Sequence, residues 1–288
     1  MKFNYVIGNP PYQKRTGKTT KQLWASITRV VWEIVESGGT MKLIHPSGWR
    51  LGTDRSEKAI RDVKEIYRTH KILNAEFHDY KQGQKTFKAA TDYDIVEVRK
   101  VPGNGDVIVE TKSDGFYKTS IIKPLVPTDN FKIFDRLVAK EGEEKVDWIC
   151  DSLYSPAKKY TSKVKDDEHQ FPCVYGMPIK GIKFHYSKSD EGHFGIPKII
   201  STRAATYSLL DDKGEYGLTS FAFAIVDTPE NLIEINKVLS YKENRLIINS
   251  MSGIAGGSFG NGMKTLLTIL KHFKKDWYKD PIFSMDQC

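Results

Sequence analysis

The sequence predicts an α/β chain that begins with parallel strands and passes, near residue 101, into a separate α+β module. Three observations carry this. Strand-like and helix-like runs alternate through residues 1–101. Two consecutive prolines cut the first strand short at Asn9-Pro10-Pro11. From Pro102 onward, Gly, Pro, Thr, Ser and Lys punctuate short β-type runs. The 288 residues suffice for one large domain or two ordinary ones, at roughly 100–200 residues each.

Phe3-Asn4-Tyr5-Val6-Ile7-Gly8 is a β-type run, and it must stop where Pro10 and Pro11 have no N–H to donate. A helical segment follows with Leu23, Ile27, Val30, Val31, Ile34 and Val35 on one face, ended by Ser37-Gly38-Gly39. Met41-Lys42-Leu43-Ile44-His45 is the second strand, with Pro46-Ser47-Gly48-Trp49 at its carboxyl end. A second amphipathic helix over residues 54–67 carries Ile60, Val63, Ile66 and Tyr67. Residues 71–78 and 92–101 are strand-like, and 94–100 alternate with the period of a half-buried strand. In such a β-α-β-α-β-β sheet, ligands bind beyond the carboxyl ends of the strands, where both the Asn9 turn and the Pro46 turn lie. In the second module the β-type runs are 107–109, 121–122, 181–186, 196–201 and 220–226, with helical candidates at 130–140 and 229–239.

Apolar residues make up 39% of the chain and charged residues 28%, which excludes wholesale disorder. The net charge of +8 suits a polyanionic partner, because each Lys or Arg on a phosphate releases condensed counterions. Cys150, Cys173 and Cys288 are widely spaced and odd in number, giving neither a zinc pattern nor a disulfide framework. This usage, with no signal peptide and no apolar stretch of membrane-spanning length, points to the cytoplasm. His45, His70, His78, His169, His185, His193 and His272 form no ligand spacing and read as structural or surface residues.

Asn9-Pro10-Pro11-Tyr12 carries a specific chemistry. An exocyclic amine on a nucleobase is a poor nucleophile, because its lone pair is delocalised into the ring. Two acceptors aimed at its protons draw the nitrogen towards sp³ geometry and free that pair. The Asn9 side-chain carbonyl can be one acceptor and the Pro10 main-chain carbonyl the other, held rigid by the Pro11 ring. Tyr12 can stack on a base that has left the helix. The plain alternative is a tight, proline-locked turn without chemistry.

The run Phe-Asn-Tyr-Val-Ile-Gly-Asn-Pro-Pro-Tyr-Gln, residues 3–13, resembles the fourth-strand motif of the N6-adenine DNA methyltransferases. It is most similar to large restriction–modification types with a C-terminal target-recognition domain. Residues 43–49 look like that family's fifth strand and 84–100 like its later strands, and Phe87 sits where the family places a second aromatic against the flipped base. Residues 198–201 and 217–220 resemble strands of the recognition domains. The resemblance implies the C-terminal half of a Rossmann-like methyltransferase sheet over residues 1–101, followed by a target-recognition, DNA-binding domain over 102–288. It implies transfer of a methyl group from S-adenosylmethionine to adenine in double-stranded DNA; cytosine N4 needs the same acceptor geometry.

Further candidates surround the motif. Lys14, Arg15, Lys18 and Lys21 read as a flexible basic loop that grips phosphates beside the flipped base. Phe87 reads equally as a core aromatic. Arg203 is a candidate for contact with a base edge. Residues 253–262, rich in glycine, are no nucleotide loop, since no strand with an acidic end precedes them and only 26 residues follow. The family's cofactor motifs, a glycine-rich loop and an acidic residue, would precede the tetrapeptide, and only eight residues do so here. The expectation is therefore a partner polypeptide that carries the glycine-rich motif, pairs with the strand at residues 3–8 and completes the enzyme. The competing expectation is a catalytically inactive DNA-binding remnant or regulator.

Overall fold

The structure, a computed structural model, describes residues 1–16, 19–51, 58–89, 91–121, 125–150, 154, 160–178, 180–202, 205, 207–251 and 269–283, the side chains of 15, 16, 19–21 and 51 excepted. It is a mixed α/β chain with several sheets. It divides into two compact units, Met1–Asp135 with Ser250–Gly260, and Arg136–Asn249 with Asn261–Cys288. Among the described residues no helix is long and apolar enough to cross a membrane.

The first unit runs β1 (Phe3–Gly8), β2 (Gln13–Thr16), β3 (Thr19–Gln22), α1 (Trp24–Ile34), β4 (Val35–Pro46), a 3-10 turn (Ser47–Leu51), α2 (Lys58–Thr69), β5 (His70–His78), α3 (Tyr80–Phe87), β6 (Tyr93–Pro102), β7 (Asp106–Thr111) and β8 (Gly115–Ser120). Six strands form one sheet in the order β1-β4-β6-β5-β7-β8. β1 and β4 are parallel, as are β5 and β7, while β6 runs antiparallel to both of its neighbours. The parallel start follows the sequence reading. The boundary near residue 101 does not hold, because β7 and β8 extend the first sheet and the first unit continues to Asp135.

The β4 pattern shows how the core forms. Met41, Leu43 and His45 alternate inwards and are buried, meeting Trp24, Val63, Tyr67, Val96 and Val98. The buried side of α1 is Trp24, Ala25, Thr28 and Trp32. Val30, read from the sequence as a core residue, is 59% exposed. At 3.6 residues per turn it lies about 200° round from Thr28, and the two tryptophans claim the core face. Ser37-Gly38-Gly39 does not end that helix either. Val35 already has extended backbone, and β4 runs straight through the glycines. The register jumps from Phe3 opposite Val35 to Tyr5 opposite Thr40, so β4 bulges between them. Gly39 permits this, since a Cβ there would stand 2.9 Å from the Asn4 carbonyl oxygen.

α4 (Phe131–Leu137) spans the division between units and matches the helical candidate at 130–140. The second unit contains β9 (Asp147–Cys150), β10 (Thr161–Ser162), β11 (Phe171–Gly176), β12 (Lys183–Ser187), β13 (Lys198–Thr202), β14 (Leu209–Asp211), β15 (Gly217–Leu218), β16 (Ala222–Val226), α5 (Pro229–Ser240) and α6 (Lys242–Ser250). Two four-stranded sheets result, ordered β10-β12-β11-β15 and β14-β13-β16-β9. β13 is buried throughout. Its Lys198 ammonium meets Asp211 at 2.8 Å, with both side chains removed from water, and Asp211 also accepts from the Glu215 and Tyr216 amides. α5 starts as its sequence dictates, with Thr228 accepting from the Asn231 amide and Pro229 in the first turn. Ile121 occupies a turn rather than a strand, and Ile122 lies outside the described residues.

Candidate active site

β1 ends at Gly8, which pairs with Leu43, three residues short of Pro46 at the end of β4. The chain therefore turns away beside the carboxyl end of β4, as the sequence pattern requires of a ligand-facing loop. Asn9 and Pro11 are exposed, Pro10 is buried and Tyr12 is half-buried. The Leu23 amide donates to the Tyr12 carbonyl at 3.1 Å and so ties the loop to the start of α1. Between them the basic segment is a paired ribbon, not a flexible loop. Gln13, Lys14, Arg15 and Thr16 face Gln22, Lys21, Thr20 and Thr19 across it. Two N–H-donating strands satisfy each other here, where an open loop would leave those groups to water.

Aromatic rings line the same end of the sheet. The Tyr12 and Phe87 rings stand edge to face, with centroids 6.3 Å apart and planes at 77°. Phe87 meets Tyr93 in the same manner at 4.8 Å, and Tyr93 stacks on His78 at 4.4 Å. Phe87 reaches this position as the last residue of α3 (residues 80–87), so residues 84–87, within the run that resembled the family's later strands, are helical. Asp79 caps that helix by accepting from the Gln82 amide at 2.9 Å. Gly83 lets the returning chain pass close, since a Cβ on it would stand 1.9 Å from the Thr91 carbonyl oxygen.

Beneath the rings lies a buried polar cluster. Asp94 pairs across the sheet with His45 and with Phe77. Its Oδ2 accepts from Trp49 Nε1 at 2.7 Å and from Arg50 Nε at 3.0 Å. Arg50 Nη1 donates at 3.0 Å to the Pro127 carbonyl and to Thr128 Oγ1, and the guanidinium lies 4.4 Å from the centre of the Phe77 ring. Burial pushes the Asp94 carboxyl up to about 6, against the opposing pull of Arg50 and Trp49. His45 is sandwiched between Trp24 and Tyr67. Its Nδ1 donates to the Pro46 carbonyl, so Nε2 accepts from the Tyr67 hydroxyl at 2.8 Å. Burial lowers the His45 imidazole to about 4, keeping it neutral. Burial, with Tyr93 and Asp94 nearby, pushes the Tyr12 phenol up to about 12. Among the described residues, the buried atoms Tyr12 Oη, Ser47 Oγ, Asp94 Oδ1 and Arg50 Nη2 at this end have no hydrogen-bond partner.

No family model and no curated protein matches the chain. Among solved structures it is similar to a modification subunit of a putative type I restriction enzyme from Vibrio vulnificus YJ016, with TM-score 0.30, 14% identity, 47% of this chain and 30% of that one covered. It is similar to the type IIL restriction-modification enzyme MmeI in complex with DNA, with TM-score 0.36, 10% identity, 83% and 43% covered. A third is the ATP-dependent type ISP restriction-modification enzyme LlaBIII bound to DNA, with TM-score 0.36, 11% identity, 94% and 28% covered. The chain spans less than half the length of each. At these scores the likeness fixes neither family nor activity.

Of the residues the sequence singled out, Asn9, Pro10, Pro11, Tyr12 and Phe87 come together at one end of the first sheet. Lys14 is exposed on the adjoining ribbon, where Arg15 and Lys21 are placed by their backbone. Lys18, Arg203 and residues 253–262 lie outside the described residues. Sequence reasoning missed Ser47, Arg50, Tyr93 and Asp94. The one available signal was their position at strand ends beside the Pro46 turn. Among the described residues no group of three or more His, Cys, Asp or Glu is arranged to hold a metal ion.

Proposed function

We propose that the first unit is the amine-activating, base-holding part of a DNA methyltransferase acting on adenine N6, and that the second unit serves target recognition. The observation that carries this is the junction of Asn9-Pro10-Pro11-Tyr12 with an aromatic end-wall, Phe87 and Tyr93, at the carboxyl ends of parallel strands. The exposed Asn9 carboxamide and the Pro10 carbonyl would accept the two amine protons. Tyr12, with Phe87 behind it, would hold the extrahelical base by stacking. Positioning of this kind supplies most of the catalytic effect of such a site. Lys14 and its ribbon would meet phosphates on either side of the base.

The methyl donor implied by the sequence resemblance is S-adenosylmethionine, and the described residues alone do not make its site. β1 is the outermost strand of its sheet, so among the described residues no strand pairs with it on the side away from β4. Phe3, Tyr5 and Ile7 along β1 are 43%, 51% and 70% exposed. An edge of this kind with apolar side chains is a template for strand addition. The donor-binding half would therefore join at β1, from a partner polypeptide. The same incomplete site favours a second reading, a DNA-binding remnant without catalysis.

Mixing tests both. The chain is combined with a co-purifying subunit that carries a glycine-rich cofactor motif, and labelled methyl transfer to DNA is measured. Activity that needs both chains and vanishes in Asn9→Ala is expected. A biological effect that survives Asn9→Ala supports the remnant, and robust activity of this chain alone contradicts the split arrangement.

A further inference from the structure

α3 carries charges that folding alone does not explain. Its buried residue is Gly83, and it has no apolar stripe. Between Asp79, which caps the helix, and Asp92 the chain holds Lys81, Lys85 and Lys88 and no carboxylate. All three lysines are exposed. Lys85 and Lys88 stand at the helix C-terminus, where a cation is welcome, but Lys81 stands in the first turn, where the macrodipole opposes it. Lys81 and Lys85, four residues apart, also repel each other. Among the described residues no ion pair involves any of the three. Elsewhere in the same unit Arg29 meets Asp62, Lys42 meets Glu97 and Arg68 meets Glu65. Lys88 has a φ of 57°, the left-handed conformation in which a helix ordinarily ends on glycine or asparagine.

The placement of the helix gives these lysines a task. β1, β4 and β5 all run the same way, since β6 opposes both β4 and β5. α3, which follows β5, therefore leaves the sheet at the end where the Asn9 turn lies. At about 100° per residue, Gly83 and Phe87 share one side of the helix, and Lys81 and Lys85 lie about 200° round from it. Gly83 against Thr91, and Phe87 against Tyr12 and Tyr93, hold α3 from behind. The lysines project from the opposite side. Lys81 and Lys85 are about 6 Å apart along the axis, a spacing that lets them meet neighbouring phosphates of one strand. The Tyr12–Phe87 contact thus has a basic element on each flank, the Lys14 ribbon after Tyr12 and α3 leading into Phe87.

We propose that α3 is a phosphate-binding helix: Lys81, Lys85 and Lys88 hold the sugar–phosphate backbone of a DNA strand on the Phe87 side of the base, as the Lys14 ribbon does on the Tyr12 side. The inference rests on the base-holding reading of the tetrapeptide for its place beside a base, and on the lysines themselves for the phosphate contact.

The full chain and its variants are titrated, over a range of salt concentrations, into an end-labelled duplex of arbitrary sequence. The duplex holds 2-aminopurine opposite an abasic site, where the base is already free to leave the helix. Anisotropy of the label reports affinity, and fluorescence of 2-aminopurine reports the base. The double variant Lys81→Gln with Lys85→Gln should lower the slope of log affinity against log salt by about 2. Lys71→Gln with Lys118→Gln removes the same charge from exposed positions at the start of β5 and on the outermost strand β8, and should leave that slope nearly unchanged. Lys88→Gly should raise the midpoint of thermal unfolding, because glycine suits the left-handed conformation, and still lower the slope by about 1. Equal losses from the two pairs, or unchanged slopes in the α3 variants, would overturn the proposal. So would unchanged DNA binding together with lost co-purification of the proposed donor-binding subunit, which would assign the lysines to an acidic protein surface. Quenching of 2-aminopurine by the native chain, retained at saturation in the α3 variants, supports a helix that holds the backbone and not the base. A lowered slope without quenching by the native chain overturns the base-holding reading and leaves the phosphate site standing.

Discussion

At the scale of residues, two neighbouring titratable groups pull stability in opposite directions. His45 has a folded value of about 4 against 6.5 for a free imidazole. As pH falls, the unfolded chain takes up that proton first. The contribution of neutral His45 is full above pH 6.5 and is lost between 6.5 and 4. Asp94 has a folded value of about 6 against 3.8, so its contribution is full below about 3.8 and is lost as pH rises through 6. The two slopes overlap and largely offset each other, which predicts a shallow acid profile for the native chain. His45→Phe separates them. In urea unfolding, the stability of the native chain relative to this variant should rise by about 3 kcal/mol between pH 4 and 7. A constant difference over that range would mean His45 titrates freely. None of this was legible in the sequence, which marks His45 and Asp94 as ordinary strand residues. Their meaning comes from the register that sets one opposite the other.

At the scale of elements, the sequence showed what periodicity and prolines can show. β1 stops at Gly8 because Pro10 and Pro11 follow, and β4 and β6 alternate as written. It hid α3, because that helix has no apolar stripe and its buried residue is Gly83. The recoverable signal was Asp79, a good N-cap. It hid the β2–β3 ribbon for a similar reason: its polar residues carry no inward-outward alternation, and only the glycine between the two polar runs hinted at it. Both elements bear on the site. Gly83→Ala should force α3 away from Thr91 and displace Phe87, costing about 1–3 kcal/mol, with weaker quenching of an extrahelical 2-aminopurine. Unchanged unfolding and unchanged quenching would show that Phe87 is not held through that contact. Lys14→Ala should weaken binding to duplexes of any sequence and lower the slope of log affinity against log salt by about 1. A loss confined to one sequence would instead make Lys14 a base reader.

At the scale of the whole molecule, each unit is tied by its own buried polar pair, Arg50 with Asp94 in the first and Lys198 with Asp211 in the second. Such pairs are costly to break, about 3–5 kcal/mol when one partner is removed. The division falls at Asp135 and not near residue 101 because β7 and β8 join the first sheet, and the sequence around residue 101 does not show which sheet the following short strands enter. The exposed β1 edge carries a prediction at this scale. Ile7→Asp should leave the unit folded, since Ile7 is 70% exposed, and should abolish co-purification with the proposed donor-binding subunit. Undiminished association would place that subunit elsewhere.

The claim that Asn9-Pro10-Pro11-Tyr12 activates an adenine amine is tested most directly by the modified nucleosides it leaves behind. DNA from cells carrying the chain together with the proposed partner is digested and resolved by mass spectrometry, beside the same cells carrying Asn9→Ala. N6-methyladenine in the first and its loss in the second is the predicted result. N6-methyladenine undiminished by Asn9→Ala, or N4-methylcytosine in its place, would contradict it.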